Sequence, residues 1–294
     1  MSGDLGGTVI ECRINKQGTL EVNQQDVSPT VYLDHWALRK ISADRTLADR
    51  LTTVLQSQHG TLALSWLNLS EFRKVTITEQ VRNADSLLEA MQPQIFLLEV
   101  NFDVVISRED ALLAGGPFAS PHGDADFLRE FITSPRDLLM QVAQDRQRAQ
   151  RFDELTDAIA DRLNVLRSNL ATLQGGKDRD NFIKSALLEF QPVTTHSQSS
   201  LQIQRGTRFL LYEFLRALLI DTKTKLTRNY VTDLFHAVVP VAYCDFVLLD
   251  SHWKTKVGQV YKSLNKAGLL IPSARVFSGK ANEIHHFLGV LESS

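Results

Sequence analysis

Five acidic residues occupy positions from which carboxylates could hold a metal ion. Asp34 and Asp250 directly follow short apolar segments, and Glu71 follows another. Asp233 is expected near the start of a helix, and Asp245 at the start of the apolar segment that leads to Asp250. In open α/β sheets, ligands bind outside the carboxyl ends of the strands, so acids placed there would meet at one edge. Carboxylates that lie close together repel one another unless a cation separates them, and hard oxygen ligands of this kind suit Mg²⁺ or Mn²⁺.

Each of these acids also has an ordinary structural explanation. Aspartate is a common helix N-cap, and it is common in the turn that follows a strand. Asp245 is interpreted either as a ligand or as a residue that only orients the start of its strand. The prediction of a metal site therefore depends on several acids converging, because no single one of them is specific.

Three histidines lie close to these acids in the sequence. His236 comes three residues after Asp233, so the two side chains share one face of the predicted helix. His236 would donate to a carboxylate or contact a phosphate group, or it would be a partly buried histidine with satisfied hydrogen bonds. His35 and His252 each lie beside another candidate ligand, and the same two interpretations apply to them.

The elements that must position these residues follow from the apolar pattern. Short apolar runs are typical of strands that are buried on both faces. They predict strands at Thr30–Leu33, Leu62–Trp66, Ile95–Val100, Cys244–Leu249 and Ala274–Phe277. Apolar residues with 3–4 spacing predict helices at 36–58, 78–91, 180–190, 205–220, 254–265 and 281–291, with helical character from about 124 to 174 and in the segment that carries Asp233. A further helix is predicted to open near Asn68, with Glu71 in its first turn.

The order of these elements predicts the organisation of the chain. The first part reads strand–helix–strand–helix–strand, which implies a parallel sheet with right-handed crossovers. Residues 1–28 are predicted to form a hairpin extension around Asn15-Lys16-Gln17-Gly18. Residues 29–116 and 221–294 are assigned to the α/β domain, and residues 117–220 to a helical insertion within it.

Composition narrows the class of protein. The chain has 294 residues, of which 43% are hydrophobic and 22% are charged, and this profile is typical of globular proteins. The N-terminal segment lacks a basic stretch followed by an apolar core, so no secretory signal is expected. The only two cysteines, Cys12 and Cys244, lie in apolar surroundings and are interpreted as buried thiols in a reducing, cytoplasmic compartment. A net charge of −2 argues against a protein that coats a polyanion, but it allows a local basic groove.

Basic residues flank two of the acids. They are Lys223, Lys225 and Arg228 before Asp233, and Lys254 and Lys256 after Asp250. Lysine and arginine in such places would contact a phosphate backbone without reading its sequence. The alternative is that they form solvated helix faces, as most runs of charge do.

These segments together resemble the PIN-like nucleases. The resemblance is carried by VYLDHW around Asp34, LSWLNLSEF around Glu71, TDLFHA around Asp233, and AYCDFVLLD, which contains Asp245 and Asp250. It covers roughly residues 31–100 and 230–290. The resemblance implies a Rossmann-like parallel sheet flanked by helices, and a metal-dependent ribonuclease whose catalytic residues would be Asp34, Glu71, Asp233 and Asp250. The family often has Thr, Ser or Asn after the first aspartate, whereas His35 and Trp36 stand there in this chain.

The hypothesis at this point is an endoribonuclease that hydrolyses RNA phosphodiester bonds with Mg²⁺ or Mn²⁺. The alternative is a non-catalytic PIN-like module that binds nucleic acid or a protein. A phosphotransferase with an aspartate nucleophile is disfavoured, because such enzymes need an acidic residue two positions later, where this chain has Trp36. The apolar stripe at 155–170 is interpreted mainly as part of the core or as a contact between helices, and it also offers a surface for a homodimer. An antitoxin or a defence-system partner, and a role in RNA processing, stay open.

Overall fold

The computed structural model describes residues 10–14, 20–72, 78–116, 120–133, 142, 145–188, 190, 206–222, 224–269 and 274–294. Its centre is a sheet of five parallel strands, namely β3 (Thr30–Leu33), β4 (Thr61–Leu64), β5 (Ile95–Leu97), β6 (Phe246–Leu249) and β7 (Arg275–Ser278). All residues of β3, β4, β5 and β6 are buried. This burial on both faces explains why the strands read as apolar runs without alternation. The predicted α/β class with a parallel sheet is confirmed.

The strands lie side by side in the order β5-β4-β3-β6-β7. The chain therefore moves outward from β3 to β5, returns to the other side of β3 to form β6, and continues outward to β7. Strands are added on one side of β3 up to β5 and on its other side from β6 onward, so a topological switch point lies between β3 and β6. In open α/β sheets, ligands bind outside the carboxyl ends of the strands at such a point. Strands β3, β4 and β6 end on the same side of the sheet, and we call this side the carboxyl edge.

Helices cover the sheet. Those in the described part of the chain are α1 (His35–Ala43), α2 (Arg45–Ser57), α3 (Trp66–Phe72), α4 (Thr78–Met91), α5 (Phe102–Leu113), α6 (Ala125–Thr133), α7 (Arg146–Thr172), α8 (Gly176–Leu188), α9 (Gly206–Ile220), α10 (Arg228–Tyr243), α11 (Ser251–Lys266) and α12 (Ala281–Glu292), with a 3₁₀ turn at Gln92–Gln94. Helices α1, α2, α4 and α12 pack together, and α5, α9, α10 and α11 form a second group. Because crossovers between parallel strands are right-handed, the reversal at the switch point puts these groups on opposite faces.

The helices between residues 117 and 220 share the hydrophobic core of the sheet. Phe127, Leu163 and Leu210 belong to the same buried cluster as the strand residues. The long helix α7 packs along α10, which carries Asp233. The described part of this segment therefore packs directly against the helix that carries Asp233.

Two helix boundaries that differ from the predictions, and one helix that was not predicted, have local explanations. The helix expected at 36–58 is broken at Asp44, whose carboxylate accepts from the backbone N–H groups of Thr46 and Leu47 and so caps α2. Helix α3 begins at Trp66, so Glu71 lies near its end and not in its first turn. Helix α5 was not predicted; it begins after Asn101, whose side chain accepts from the N–H of Asp103.

The N-terminal hairpin forms its own two-stranded antiparallel sheet from β1 (Ile10–Ile14) and β2 (Leu20–Gln24). The predicted turn at 15–18 lies outside the described residues. The side-chain amide of Gln24 donates to the carbonyl of Leu97 (2.8 Å) and accepts from its N–H (2.9 Å). One glutamine therefore pairs with both backbone groups of Leu97 on the edge strand β5, as an added strand would.

Every helix in the described ranges is too short or too polar to span a lipid bilayer.

Candidate functional site

Asp34 and Asp250 lie side by side at the switch point. Strands β3 and β6 pair with Leu33 opposite Leu248, and the N–H of Asp34 donates to the carbonyl of Leu248 (3.1 Å). Each aspartate then caps the helix that follows its strand. Oδ1 of Asp34 accepts from the N–H groups of Trp36 and Ala37, and Oδ1 of Asp250 accepts from that of Trp253 (2.7 Å). Capping engages one oxygen of each carboxylate, and Oδ2 takes no part in it.

Glu71 reaches the same edge from the next strand–helix connection. Its Oε2 lies 2.7 Å from Nδ1 of His35 and 3.0 Å from Nε2 of His236. The Glu71 side chain is 14% exposed and that of His236 only 2%, while that of His35 is 34% exposed. Two imidazoles from different helices therefore face a single carboxylate oxygen, and one side of the group is open to solvent.

The position of Glu71 depends on how α3 begins. The N–H of Ser65 donates to Oδ1 of Asn68 (2.9 Å), and Oγ of Ser65 accepts from the N–H of Asn68 (3.1 Å). This reciprocal capping starts the helix directly after β4. Nδ2 of Asn68 also donates to the carbonyl of Leu33 (2.8 Å), which joins α3 to the end of β3. Glu71, one turn further along, is thereby held beside Asp34.

Asp233 and His236 come from α10. This helix begins at Arg228 and is capped by Thr227, so Asp233 lies in its second turn and not at its start. His236 is three residues further along the same face, and its Nδ1 lies 2.6 Å from the hydroxyl of Tyr32. Tyr32 is two residues before Asp34 on β3. Strand β3 and helix α10 are thus joined through a fully buried hydroxyl.

The pKa values show how closely these acids interact. Burial raises the pKa of Asp34 to about 7, although His236 and His35 oppose the rise. Burial raises the pKa of Asp233 to about 6 against the influence of His236, and Asp250 and Glu71 raise it further. Burial would also raise the pKa of Glu71, but the two histidines outweigh it and hold that pKa well below its usual range. The acids of four separate elements therefore act on one another at the carboxyl edge.

Asp245 does not belong to this group. It precedes β6, and its Oδ2 accepts from the hydroxyl of Ser28 (2.6 Å) and from the N–H of Thr30 (2.8 Å). These partners lie where β3 begins, at the end of the sheet opposite to Asp34. Four residues of extended chain separate the two ends by about 13 Å. Asp245 thus orients the start of its strand, and we leave it out of the proposed site.

The basic residues that were predicted to contact phosphate are mostly engaged with carboxylates. Arg228 contacts Asp157 and lies 3.1 Å from Asp153, both on α7. Lys254 pairs with Glu283 at 2.6 Å.

The remaining lysines differ from one another in exposure. Lys256 pairs with Asp221 at 2.8 Å and is only 8% exposed, so it cannot reach a ligand at the surface. Lys225 is exposed. Lys223 lies outside the described residues. Fewer of the predicted phosphate-contacting residues are therefore accessible than the sequence indicates.

A separate cleft of about 470 Å³ opens beyond the end of β5. Its lining includes five carboxylates, from Glu99, Asp124, Asp126, Glu130 and Asp145. Arg148 pairs with Asp124 at 2.5 Å and lies over the ring of Trp66 at 4.9 Å. The five acids outnumber the two arginines of the lining, Arg148 and Arg151, so the net charge of the cleft opposes the binding of a phosphate backbone.

Sequence reasoning missed two polar side chains that support the site, Tyr32 and Ser65, and it identified Asn68 only as a possible helix cap. The sequence did hold a signal for Tyr32. Successive side chains of a strand point to opposite faces, so Tyr32 and Asp34, two residues apart, must point to the same face. The pairing of Glu71 with His35 and His236 had no signal in the sequence, since residues 35, 71 and 236 become neighbours only in the folded chain.

Comparison of the chain with protein-family models, with curated proteins and with solved structures found no match.

Proposed function

We propose that the chain is a metal-dependent endoribonuclease with a PIN-like fold, in which Asp34, Glu71, Asp233 and Asp250 hold Mg²⁺ or Mn²⁺. The observation that carries this proposal is the gathering of these four acids, each from a different strand–helix connection or helix, at the switch point of a parallel sheet. Ligands of open α/β sheets bind at such a point. The positions are also those that the resemblance to PIN-like nucleases implies.

The chemistry of these four carboxylates suits a divalent cation, while the ligand atoms that lie within 4.8 Å of one another in the described residues belong to His35, Glu71 and His236. The pKa values of Asp34 and Asp233 are raised to about 7 and about 6, chiefly by burial, so their ionised forms are costly in the absence of a counter-charge. A divalent ion would supply that charge and keep these carboxylates ionised. When bound, such an ion lowers the pKa of an attacking water and stabilises the leaving oxygen of a phosphodiester.

The chain's own groups would keep this centre in position. The caps on α1 and α11 fix the Oδ1 atoms of Asp34 and Asp250, which orients both carboxylates at the carboxyl edge. The two histidines hold Glu71, and Tyr32 holds His236. Outside this centre, Lys225 is exposed, and Lys254 has a partner that is itself partly exposed. Because partly exposed ion pairs are weak, Lys254 would exchange Glu283 for a phosphate at little cost.

RNA cleavage with Mn²⁺ by the purified protein tests the proposal. The Asp34→Asn protein should lose cleavage, because a neutral amide is a poor ligand for a hard cation. Asp44→Asn is the matched control, since Asp44 caps α2 in the same way but lies outside the cluster. Asparagine caps helices about as well as aspartate, so both variants should fold. Cleavage that survives Asp34→Asn, or that is lost equally in Asp44→Asn, would refute the assignment.

A further inference from the structure

His35 and His236 differ from the rest of the cluster because they offer nitrogen ligands. One ring nitrogen of His35, one ring nitrogen of His236 and a carboxylate oxygen of Glu71 all lie within 4.8 Å of one another. Ligands in adjacent octahedral positions, each about 2.1 Å from an ion, are about 3 Å apart. The contacts of Glu71 with the two rings, at 2.7 and 3.0 Å, are close to that spacing.

The polar groups behind His236 allow its Nε2 to act as a ligand. The hydroxyl of Ser65 donates to Oδ1 of Asn68 (2.7 Å), so Oγ of Ser65 is left as an acceptor. The hydroxyl of Tyr32 lies 3.3 Å from that oxygen and 2.6 Å from Nδ1 of His236. It can therefore donate to His236, or donate to Ser65 and accept from Nδ1–H of His236.

These two arrangements correspond to the two neutral tautomers of His236. In the first, the Nε2–H group donates to Glu71. In the second, the proton is on Nδ1 and a lone pair on Nε2 faces the Glu71 carboxylate. A lone pair next to an ionised carboxylate in a buried site is unfavourable unless a cation lies between them. The buried hydroxyl of Tyr32 thus provides the hydrogen bond that a metal-binding histidine usually makes through its other nitrogen.

We propose that His35, Glu71 and His236 together bind one first-row transition-metal ion such as Fe²⁺, Co²⁺, Ni²⁺ or Zn²⁺. Imidazole suits these ions, whereas Mg²⁺ prefers a shell of oxygens. This inference rests on the proposed function only in that both place a cation at Glu71. It adds two nitrogen ligands on the side of the cluster where the proposed function names only the oxygen ligand Glu71.

Titration of metal-free protein with Co²⁺, followed by visible absorption and calorimetry, tests the inference. His35→Asn and His236→Gln should each weaken Co²⁺ binding by at least about tenfold, since even outer-shell changes commonly cost 10–100-fold. Excess Mg²⁺ should leave Co²⁺ bound. His285→Gln is the control, because His285 is exposed on α12, away from the cluster. His35 is partly exposed, so its variant decides the result even if His236→Gln fails to fold.

Three outcomes would overturn the inference: no binding of Co²⁺ by the unmodified protein, unchanged binding by folded His35→Asn, or displacement of Co²⁺ by Mg²⁺ at equal concentration. Failure of the proposed function gives a different result. If Co²⁺ binding depends on both histidines but no RNA is cut with any ion, the metal site stands and the nuclease does not. If RNA is cut with Mg²⁺ and His35→Asn changes nothing, the nuclease stands and the histidine site does not.

Discussion

The hydroxyl of Tyr32 and Nδ1 of His236 lie 2.6 Å apart, although 204 residues separate them in the chain. This contact joins the first strand of the parallel sheet to the helix that carries Asp233. It also sets the orientation of the imidazole that faces Glu71.

Removal of the Tyr32 hydroxyl should destabilise the protein. Tyr32→Phe leaves a buried ring nitrogen of His236 without its partner, so the free energy of unfolding in urea should fall by about 1–3 kcal/mol. Tyr212→Phe is the control, because Tyr212 is only partly buried on α9, and surface changes are usually within about 0.5 kcal/mol. Equal stability of the two variants would show that the Tyr32–His236 contact contributes nothing.

Binding of Mn²⁺ should stabilise the folded state. At a concentration of one hundred times the dissociation constant, the free energy of unfolding should rise by about 2.7 kcal/mol, because the ion binds only the folded protein. Asp250→Asn should remove most of this increase in a thermal-shift measurement. Asp245→Asn should retain it, since Asp245 lies at the opposite end of the sheet, bonded to Ser28 and Thr30. A loss of the Mn²⁺ effect in Asp245→Asn would contradict its exclusion from the site.

The stability of the protein should depend on pH through Glu109. Burial raises the pKa of Glu109, and the hydrogen bonds from Thr207 and Tyr243 oppose the rise without cancelling it. Between the ordinary pKa of a glutamate and this raised value, the folded state binds more protons than the unfolded state. The free energy of unfolding must therefore fall as the pH rises through that window.

The free energy of unfolding of the Glu109→Gln protein should not fall in this way as the pH rises. The difference between this variant and the unmodified protein should therefore shift in favour of the variant from about pH 4.5 upward. Urea unfolding at a series of pH values measures the effect. Glu89→Gln, which removes an exposed carboxyl group from α4, is the comparison. A parallel pH dependence in Glu109→Gln and the unmodified protein would contradict the role of Glu109.

Two lysines near the acids should behave differently when they are neutralised. Lys225 is exposed, so Lys225→Ala should weaken RNA binding and reduce the slope of log affinity against log salt by about 0.7 to 1. Lys256 is buried against Asp221, so Lys256→Met should leave that slope unchanged and lower the stability by about 1–3 kcal/mol. Fluorescence anisotropy at several salt concentrations and urea unfolding separate the two effects. If both variants change the slope equally, the distinction by burial is wrong.

Much of the fold was predictable because its signals are local. The run Thr30–Leu33 is buried along its whole length, and the predicted strand has the same limits in the structure. Helix Thr78–Met91 also has the predicted limits. The predicted helix boundaries were wrong where one or two capping side chains decided them. Asp44 ends one helix and caps the next. The pair Ser65 and Asn68 makes α3 start earlier in the chain than predicted.

The roles of the charged residues were less predictable, because they depend on which partners the fold provides. Lys254 and Lys256 are two residues apart in one helix, yet the first is partly exposed and the second is buried. Asp245 and Asp250 flank the same strand, yet they lie at opposite ends of the sheet. Spacing alone could not separate the members of either pair.

The sequence by itself determined the alternation of buried strands and helices, and with it the placement of Asp34 and Asp250 where strands end, because apolar runs and caps act between near neighbours in the chain. Only the tertiary structure decided that His236 would bond to Tyr32 and that both His236 and His35 would meet at Glu71. Glu71 and His236 are 165 residues apart. Such contacts form only when the packing of the sheet and its helices brings distant segments together, so local sequence patterns do not predict them.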